Sequence, residues 1–264
     1  MESTYLKHFL QKVGNSVHSI NTIVVGLDGV EKRVCTKSNS LTITWSPKDP
    51  KVSSRSARKF VINASLVFIT EAIKQYMLEV MKNPLFKDRF QDIPTDKQLS
   101  EKFELFSNKF IIQTEYWIPC VLLLFHWRNQ IVHTNSKAKL SSVQVELLKK
   151  NSQIIKQEHA HTDIEVMLEH FQNHAITLKD ISTLIAITIK TIRSIDGQLE
   201  IEYKSVDEIM TEVKNIGRYD EYLSICKETN LDIRSRKLNH FLRLYFKNLH
   251  EDLENELINQ CLKG

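Results

Sequence analysis

Glycine and proline are scarce in this sequence, which has six and five of them among 264 residues. A chain so poor in turn-forming residues is unsuited to an all-β fold with many tight turns. It also contains none of the Gly-rich phosphate-binding or nucleophile-elbow motifs. A hydrophobic fraction of 42% with 26% charged residues is typical of a globular protein with a sizeable core. We therefore expect a mainly α-helical protein.

Long apolar segments are also missing. The apolar run Val121 to Phe125 is far shorter than the roughly 20 residues of a bilayer span. Met1 to Leu10 has no apolar core of the kind found in signal peptides. The four cysteines are scattered without a CxxC pair, as expected of free thiols in a reducing compartment. We expect a cytoplasmic protein that does not associate with a membrane.

The net charge of +4 is unevenly distributed. Between Lys32 and Lys59, eight Lys or Arg residues accompany one acid, whereas from Glu158 to Glu228 acids outnumber bases fourteen to seven. A basic stretch of this kind can dock an RNA backbone, although a solvated loop rich in Lys explains the same pattern. The candidate RNA-binding residues are Lys48, Lys51, Arg55, Arg58 and Lys59.

A short N-terminal region is predicted to be β. Ile20 to Leu27 is β-branched and apolar, Asp28-Gly29 is a hairpin turn signal, and Val30 to Thr36 can return antiparallel. The alternation over 41–45 favours a third short strand. The polar stretch Lys48 to Arg55 is predicted to be a linker.

Helical periodicity covers almost all the rest of the chain. A long helix is expected from Ser53 or Ser54 to about Lys82, and the helix expected over 115–134 is the most apolar. We divide the chain into a basic N-terminal arm with short β-strands (1–50), a helical core (51–200) and a helical C-terminal extension (201–264).

The most informative motif is R-N-x-x-x-H, formed by Arg128, Asn129 and His133. Asn129 and His133 lie one helical turn apart on the same face, and the long side chain of Arg128 can swing across or reach a partner subunit. Histidine, with an ordinary pKa of about 6.5, can move protons at a ribose 2′-OH and at a leaving 5′-oxygen. Arginine can hold the phosphate and offset charge in the transition state. Since the 2′-OH is an internal nucleophile, no metal or other cofactor is expected.

This motif resembles the active-site signature of the HEPN superfamily, over six residues and their helical context. The resemblance implies a HEPN-like antiparallel helical bundle acting as a metal-independent endoribonuclease on RNA. It further implies a homodimer in which two copies of Arg128 and His133 form one composite site, assisted by Asn129. Relatives of this kind act as toxins or antiviral (abortive-infection) effectors, restrained by an antitoxin or another regulatory protein. Asn135 stands where some of these toxins carry a modifiable Tyr, which puts control by that route in doubt.

The alternative function is a non-catalytic helical adaptor, or a nucleotide-binding HEPN-like protein, in which the Arg and His are structural. Arg234 and His240 satisfy a looser Arg-His spacing but lack the Asn. A histidine cluster further along contains a pair with i,i+4 spacing that can hold Zn²⁺ or Ni²⁺. A solvated polar helix is favoured there, because no HExxH and no third ligand at a telling distance accompanies the pair. The cluster consists of His159, His161, His170 and His174.

Overall fold

The computed structural model describes residues 2–35, 45–83, 86–133, 135–199, 203, 205–246, 249 and 251–263. These residues are mainly helical, which confirms the predicted α character, and no strand occurs among them. Within the same ranges no helix combines the length and the apolar character needed to cross a bilayer. The helices are α1 (Thr4–Glu31), α2 (Pro50–Lys82), α3 (Lys87–Phe90), α4 (Leu99–Ser107), α5 (Trp117–Val132), α6 (Ser142–Lys150), α7 (Ser152–Glu158), α8 (Ile164–Gln172), α9 (Leu178–Asp196), α10 (Val206–Asn215), α11 (Tyr219–Cys226), α12 (Leu231–Tyr245) and α13 (Glu251–Lys263).

The chain divides into two compact units. The larger is Tyr5–Asp196, and the smaller is Gly197–Gly264 together with Met1–Thr4. In the larger unit α5 is the central helix, because α2, α4, α6 and α9 all pack against it. In the smaller unit α12 packs against α11 and α13.

The predicted N-terminal hairpin is wrong. The residues assigned to its first strand and its Asp28-Gly29 turn belong to α1, and the chain leaves the helix only near Arg33, where φ is 58°. Ile20 is buried, whereas Ile23 and Val25 of the Ile- and Val-rich stretch are 42% and 71% exposed. The buried apolar residues upstream of this stretch fix α1 as a helix, and the stretch continues that helix despite its β propensity. The third predicted strand lies outside the described residues except for Trp45, which is not in a strand. The buried residues of α1 are Leu6, Phe9, Val13 and Ile20.

The predicted linker before the long helix is also wrong, because α2 begins at Pro50. Asp49 caps it: the carboxylate accepts hydrogen bonds from the backbone N–H groups of Lys51 at 2.8 Å and Val52 at 3.4 Å. Proline at the first helical position adds to the start signal, since its fixed φ suits a helix and its missing N–H is not needed there. The predicted end of the helix at Lys82 is confirmed.

Replacing Asp49 with alanine is expected to lower the free energy of unfolding by about 1 kcal/mol, because two backbone N–H groups lose their acceptor. Urea denaturation followed by circular dichroism measures this change. Asp49→Asn keeps the acceptor oxygen and serves as the control, with an expected loss of a few tenths of a kcal/mol. Equal stability of the alanine variant and the wild type would contradict the assigned cap.

Candidate active site

The predicted motif lies at the C-terminal end of α5, after the buried part of this central helix of the larger unit. Its residues from Pro119 to Phe125 are all buried, as expected of a helix surrounded by four others. Trp127 is only 1% exposed, and its ring meets Phe171 edge-on with 5.5 Å between the centroids. Because neighbouring helical residues point about 100° apart, the burial of Trp127 turns His126 and Arg128 away from the core on either side of it.

An open pocket of about 990 Å³ lies over the polar end of α5. Arg128, Asn129 and His133 all line this pocket, so the structure brings the three predicted residues together. The remaining walls come from α4, from the segment that follows α5, and from the start of α6. The other titratable or charged residues lining the pocket are Glu101, Glu104, His126, Lys137 and Lys139, and Gln144 is among the uncharged polar ones.

Arg128 is held by its neighbour in the motif. Its Nη1 donates a hydrogen bond to Asn129 Oδ1 at 3.1 Å. Its Nε is buried and has no hydrogen-bond partner among the described residues. A buried N–H group without a partner is unusual in a native protein and calls for an explanation. Because Arg128 lines the pocket, the rest of its guanidinium can offer donors to an anion bound there.

His133 is the first residue after α5 and not part of it, although the sequence predicts a helix through Thr134. Its backbone is extended (φ −122°, ψ 105°), while its N–H still donates to the Asn129 carbonyl at 2.9 Å. This capping bond keeps His133 beside Asn129, as the one-turn spacing predicts. The side chain is exposed at the edge of the pocket.

His126 is a pocket residue that the motif does not include. It lies three residues before Asn129, so the two share one face of α5, and His133 follows the end of the helix one turn beyond Asn129. Its Nδ1 is buried without a hydrogen-bond partner in the described part of the chain, and desolvation by burial lowers its pKa. The i, i+3, i+7 spacing in the sequence is the signal that could have identified it.

Known protein families, curated proteins and solved structures give no match to this chain. What the pocket can do therefore follows from its own chemistry.

The charges of the pocket favour an anion. The carboxylate of Glu101 pairs with Lys97 at 3.2 Å, and Glu104 accepts a hydrogen bond from Gln144 at 3.0 Å. Arg128 has only the uncharged Asn129 as a hydrogen-bond partner within the described ranges. Glu101 is therefore paired with a cation, whereas Glu104 and Arg128 each have an uncharged amide partner. With Lys137 and Lys139 the pocket is lined by three basic and two acidic side chains, and the guanidinium suits a phosphate group.

The candidate RNA-binding residues lie at the N-terminal end of α2 and just before it. Arg58 is engaged by Asp28, with 2.5 Å between Nη2 and Oδ1. The other four, Lys48, Lys51, Arg55 and Lys59, are exposed. None of these five described residues lines the pocket, so a role in RNA binding stays a prediction for them.

The second Arg-His pair is held differently. Arg234 donates from Nε to the Glu228 carbonyl at 2.5 Å and from Nη1 to the Cys261 carbonyl at 3.1 Å. A guanidinium bound to backbone carbonyls stabilises the fold of the smaller unit, whereas His240 is exposed. Arg128, which is followed by an asparagine, and Arg234, which is not, therefore have different hydrogen-bond partners.

The histidine cluster does not assemble in the structure. His159 contacts the hydroxyl of Tyr116 at 3.1 Å, and His170 Nδ1 lies 2.8 Å from the buried carboxylate of Asp180. Burial lowers the pKa of His159. Across the described residues, no three His, Cys, Asp or Glu side chains gather in a way that can hold a metal ion.

Proposed function

We propose that this protein is a metal-independent endoribonuclease of the HEPN class, with Arg128 and His133 as the catalytic pair and Asn129 as a polar assistant. The observation that carries the proposal is that these three residues line one open pocket. Its volume of about 990 Å³ is large enough to admit a nucleotide with a neighbouring phosphate. Arg128 supports the same role, because among the described residues its guanidinium has only the uncharged Asn129 as a hydrogen-bond partner and can bind a phosphate oxygen.

In the proposed reaction the ribose 2′-oxygen attacks the adjacent phosphorus, and the bond from phosphorus to the 5′-oxygen breaks. One proton leaves the 2′-OH and one is delivered to the 5′-oxygen, so the products are a 2′,3′-cyclic phosphate and a 5′-hydroxyl. Arg128 offsets the charge that builds up on the phosphate oxygens. His133 takes part in proton transfer.

We further propose that the protein acts as a homodimer, as the HEPN resemblance implies. A two-fold axis brings the same surface of each chain together, so that two copies of Arg128 and His133 can share one phosphodiester. The role of a toxin or antiviral-defence effector, with an antitoxin or regulatory partner, belongs to this proposal too.

Purified protein is expected to cleave single-stranded RNA at an unchanged rate when EDTA is present. Mass spectrometry of the fragments is expected to find 2′,3′-cyclic phosphate and 5′-hydroxyl ends. His133→Ala is expected to lower the rate by about 10²- to 10⁴-fold, the usual effect of losing a proton-transfer group.

His240→Ala is the matched control, because it removes an exposed histidine from the second Arg-His pair and is expected to cut at the wild-type rate. Intact RNA with and without chelator contradicts the proposed function. An activity that EDTA abolishes contradicts the metal-independent mechanism.

A helical adaptor is the second candidate, and exposed aromatic residues on α2 favour it. Phe60 and Phe68 are 72% and 68% exposed, and large apolar side chains on the surface are common features of protein interaction sites. Loss of partner binding in Phe60→Ser and Phe68→Ser, together with inert wild-type protein in the RNA assay, would favour the adaptor.

A further inference from the structure

We infer that His126 is a further catalytic residue of the pocket, the general base that takes the 2′-OH proton while His133 of the same chain protonates the leaving 5′-oxygen. This inference rests on the proposed ribonuclease function. It adds a second imidazole that the R-N-x-x-x-H pattern does not contain. In the proposed dimer the two copies of Arg128 and His133 still face one phosphodiester, and this inference assigns both proton transfers of a single cleavage to the two histidines of one chain.

The spacing of the two histidines suits a phosphodiester between them. At 1.5 Å per helical residue, seven positions separate their backbones by roughly 10 Å along α5. Asn129 lies between them in the chain, and Arg128 is bound to it. A phosphate held over these two residues has one imidazole on each side. In-line displacement requires that arrangement, because the attacking and leaving oxygens lie on opposite sides of the phosphorus.

His126 lines the pocket and differs from two other histidines of the larger unit in its hydrogen bonds. His159 and His170 each have a hydrogen-bond partner inside the larger unit, Tyr116 and Asp180 respectively. His126 has a buried Nδ1 without any partner among the described residues, although its ring lines the pocket. Nε2 is therefore the ring nitrogen available to a ligand.

Burial lowers the pKa of His126, so the ring is neutral at neutral pH and able to accept a proton. A general base must start deprotonated, so a lowered pKa suits this role. The titratable and charged groups that line the pocket with it are Glu101, Glu104, Arg128, His133, Lys137 and Lys139.

The protons balance over the step. His126 Nε2 gains the proton of the 2′-OH as the new bond to phosphorus forms. Protonated His133 gives its proton to the 5′-oxygen as the old bond breaks. Exchange with water returns both rings to their starting states, and no oxidant, reductant or co-reactant is required.

A substrate that needs no acid separates the two roles. A nucleoside 3′-(4-nitrophenyl phosphate) expels a nitrophenolate, which leaves without protonation. His133→Asn is expected to be about 10²- to 10⁴-fold slower than wild type on RNA but close to wild type on this ester. His126→Asn is expected to be slow on both substrates, with kcat lowered and KM unchanged. His18→Asn, which changes an exposed histidine of α1, is the control.

Different results overturn the inference and the proposed function. Wild-type protein that leaves RNA intact overturns both. Active wild-type protein with a folded His126→Asn variant of wild-type rate overturns the inference alone. Recovery of His126→Asn on the nitrophenyl ester also overturns it, because the residue then acts as an acid. His126→Gln and circular dichroism of each variant separate lost chemistry from lost folding.

A mixing experiment tests whether both histidines act within one chain. His126→Asn and His133→Asn proteins are unfolded together, refolded and assayed on RNA. The inference predicts no recovered activity, because every pocket lacks one of its two imidazoles. Recovered cleavage would assign the two groups to opposite chains of a dimer and overturn catalysis within one chain.

Discussion

Replacement of Arg128 by methionine is expected to lower the rate of RNA cleavage by about 10²- to 10³-fold while leaving the protein at least as stable as wild type. The rate falls because the phosphate loses the cation that offsets its developing charge. The stability does not fall, because Nε of Arg128 is buried without a partner and a methionine needs none. A buried polar group without a partner costs about 1–3 kcal/mol, so unfolding of Arg128→Met is expected to need about 1 kcal/mol more.

Both quantities are measured on the same preparation, cleavage by single-turnover kinetics and stability by urea denaturation. Arg236→Met is the matched control, because Arg236 is exposed on α12, and it is expected to change neither quantity appreciably. Arg128→Lys is expected to recover part of the rate, since a point charge lacks the planar fork. A stable, fully active Arg128→Met variant would exclude Arg128 from catalysis.

The opposite signs of these two effects are informative about the pocket. Two of its side chains, Arg128 and His126, each have a buried nitrogen without a protein partner in the described part of the chain. A buried polar group without a partner lowers the stability of the fold, so replacing either side chain by an apolar one of similar size is expected to raise the free energy of unfolding. Both atoms lie on α5, as do the two other buried polar atoms without a partner among the described residues, Trp117 Nε1 and Gln130 Oε1, which do not line the pocket.

The sequence predicts that the three motif residues lie together, but it does not predict the pocket that surrounds them. Arg128, Asn129 and His133 are close in the chain, so helical spacing alone predicts that they lie together. The walls that make a pocket around them come from α4 and α6, which no local pattern connects to α5. His126 could have been found from spacing, but only the pocket and its unpartnered Nδ1 distinguish it from an ordinary helical histidine.

The N-terminal error has a specific physical cause. The β-branched residues after Ile20 favour a strand locally, and Asp28-Gly29 adds a turn signal. The helical conformation is determined by residues further upstream, because Phe9 and Val13 belong to the buried face by which α1 packs against the core. Contacts with α2 then hold the end of α1: the Ser54 hydroxyl donates to the Leu27 carbonyl at 2.8 Å. A short window around the strand signal contains neither of these features.

Trp127→Ala is expected to lower the free energy of unfolding by about 3–5 kcal/mol, the largest stability effect predicted for this chain. The indole is 1% exposed and lies edge-on to Phe171. Its removal takes away a large buried apolar surface and leaves a cavity between α5 and α8. Trp127→Phe keeps the aromatic contact and is expected to lose less, about 1–2 kcal/mol.

Trp127→Phe is also expected to change catalysis, because Trp127 lies between His126 and Arg128 and its burial sets the rotation of α5 about its own axis. If the indole holds these neighbours toward the pocket, Trp127→Phe lowers kcat even under conditions where the variant is fully folded.

Trp45→Ala is the control for stability, since Trp45 is 36% exposed and its loss is expected to change the free energy of unfolding by no more than about 0.5 kcal/mol. Urea denaturation of the three variants orders them by stability. A Trp127→Ala variant as stable as Trp45→Ala would contradict the packing of α5, and with it the support of every side chain in the pocket.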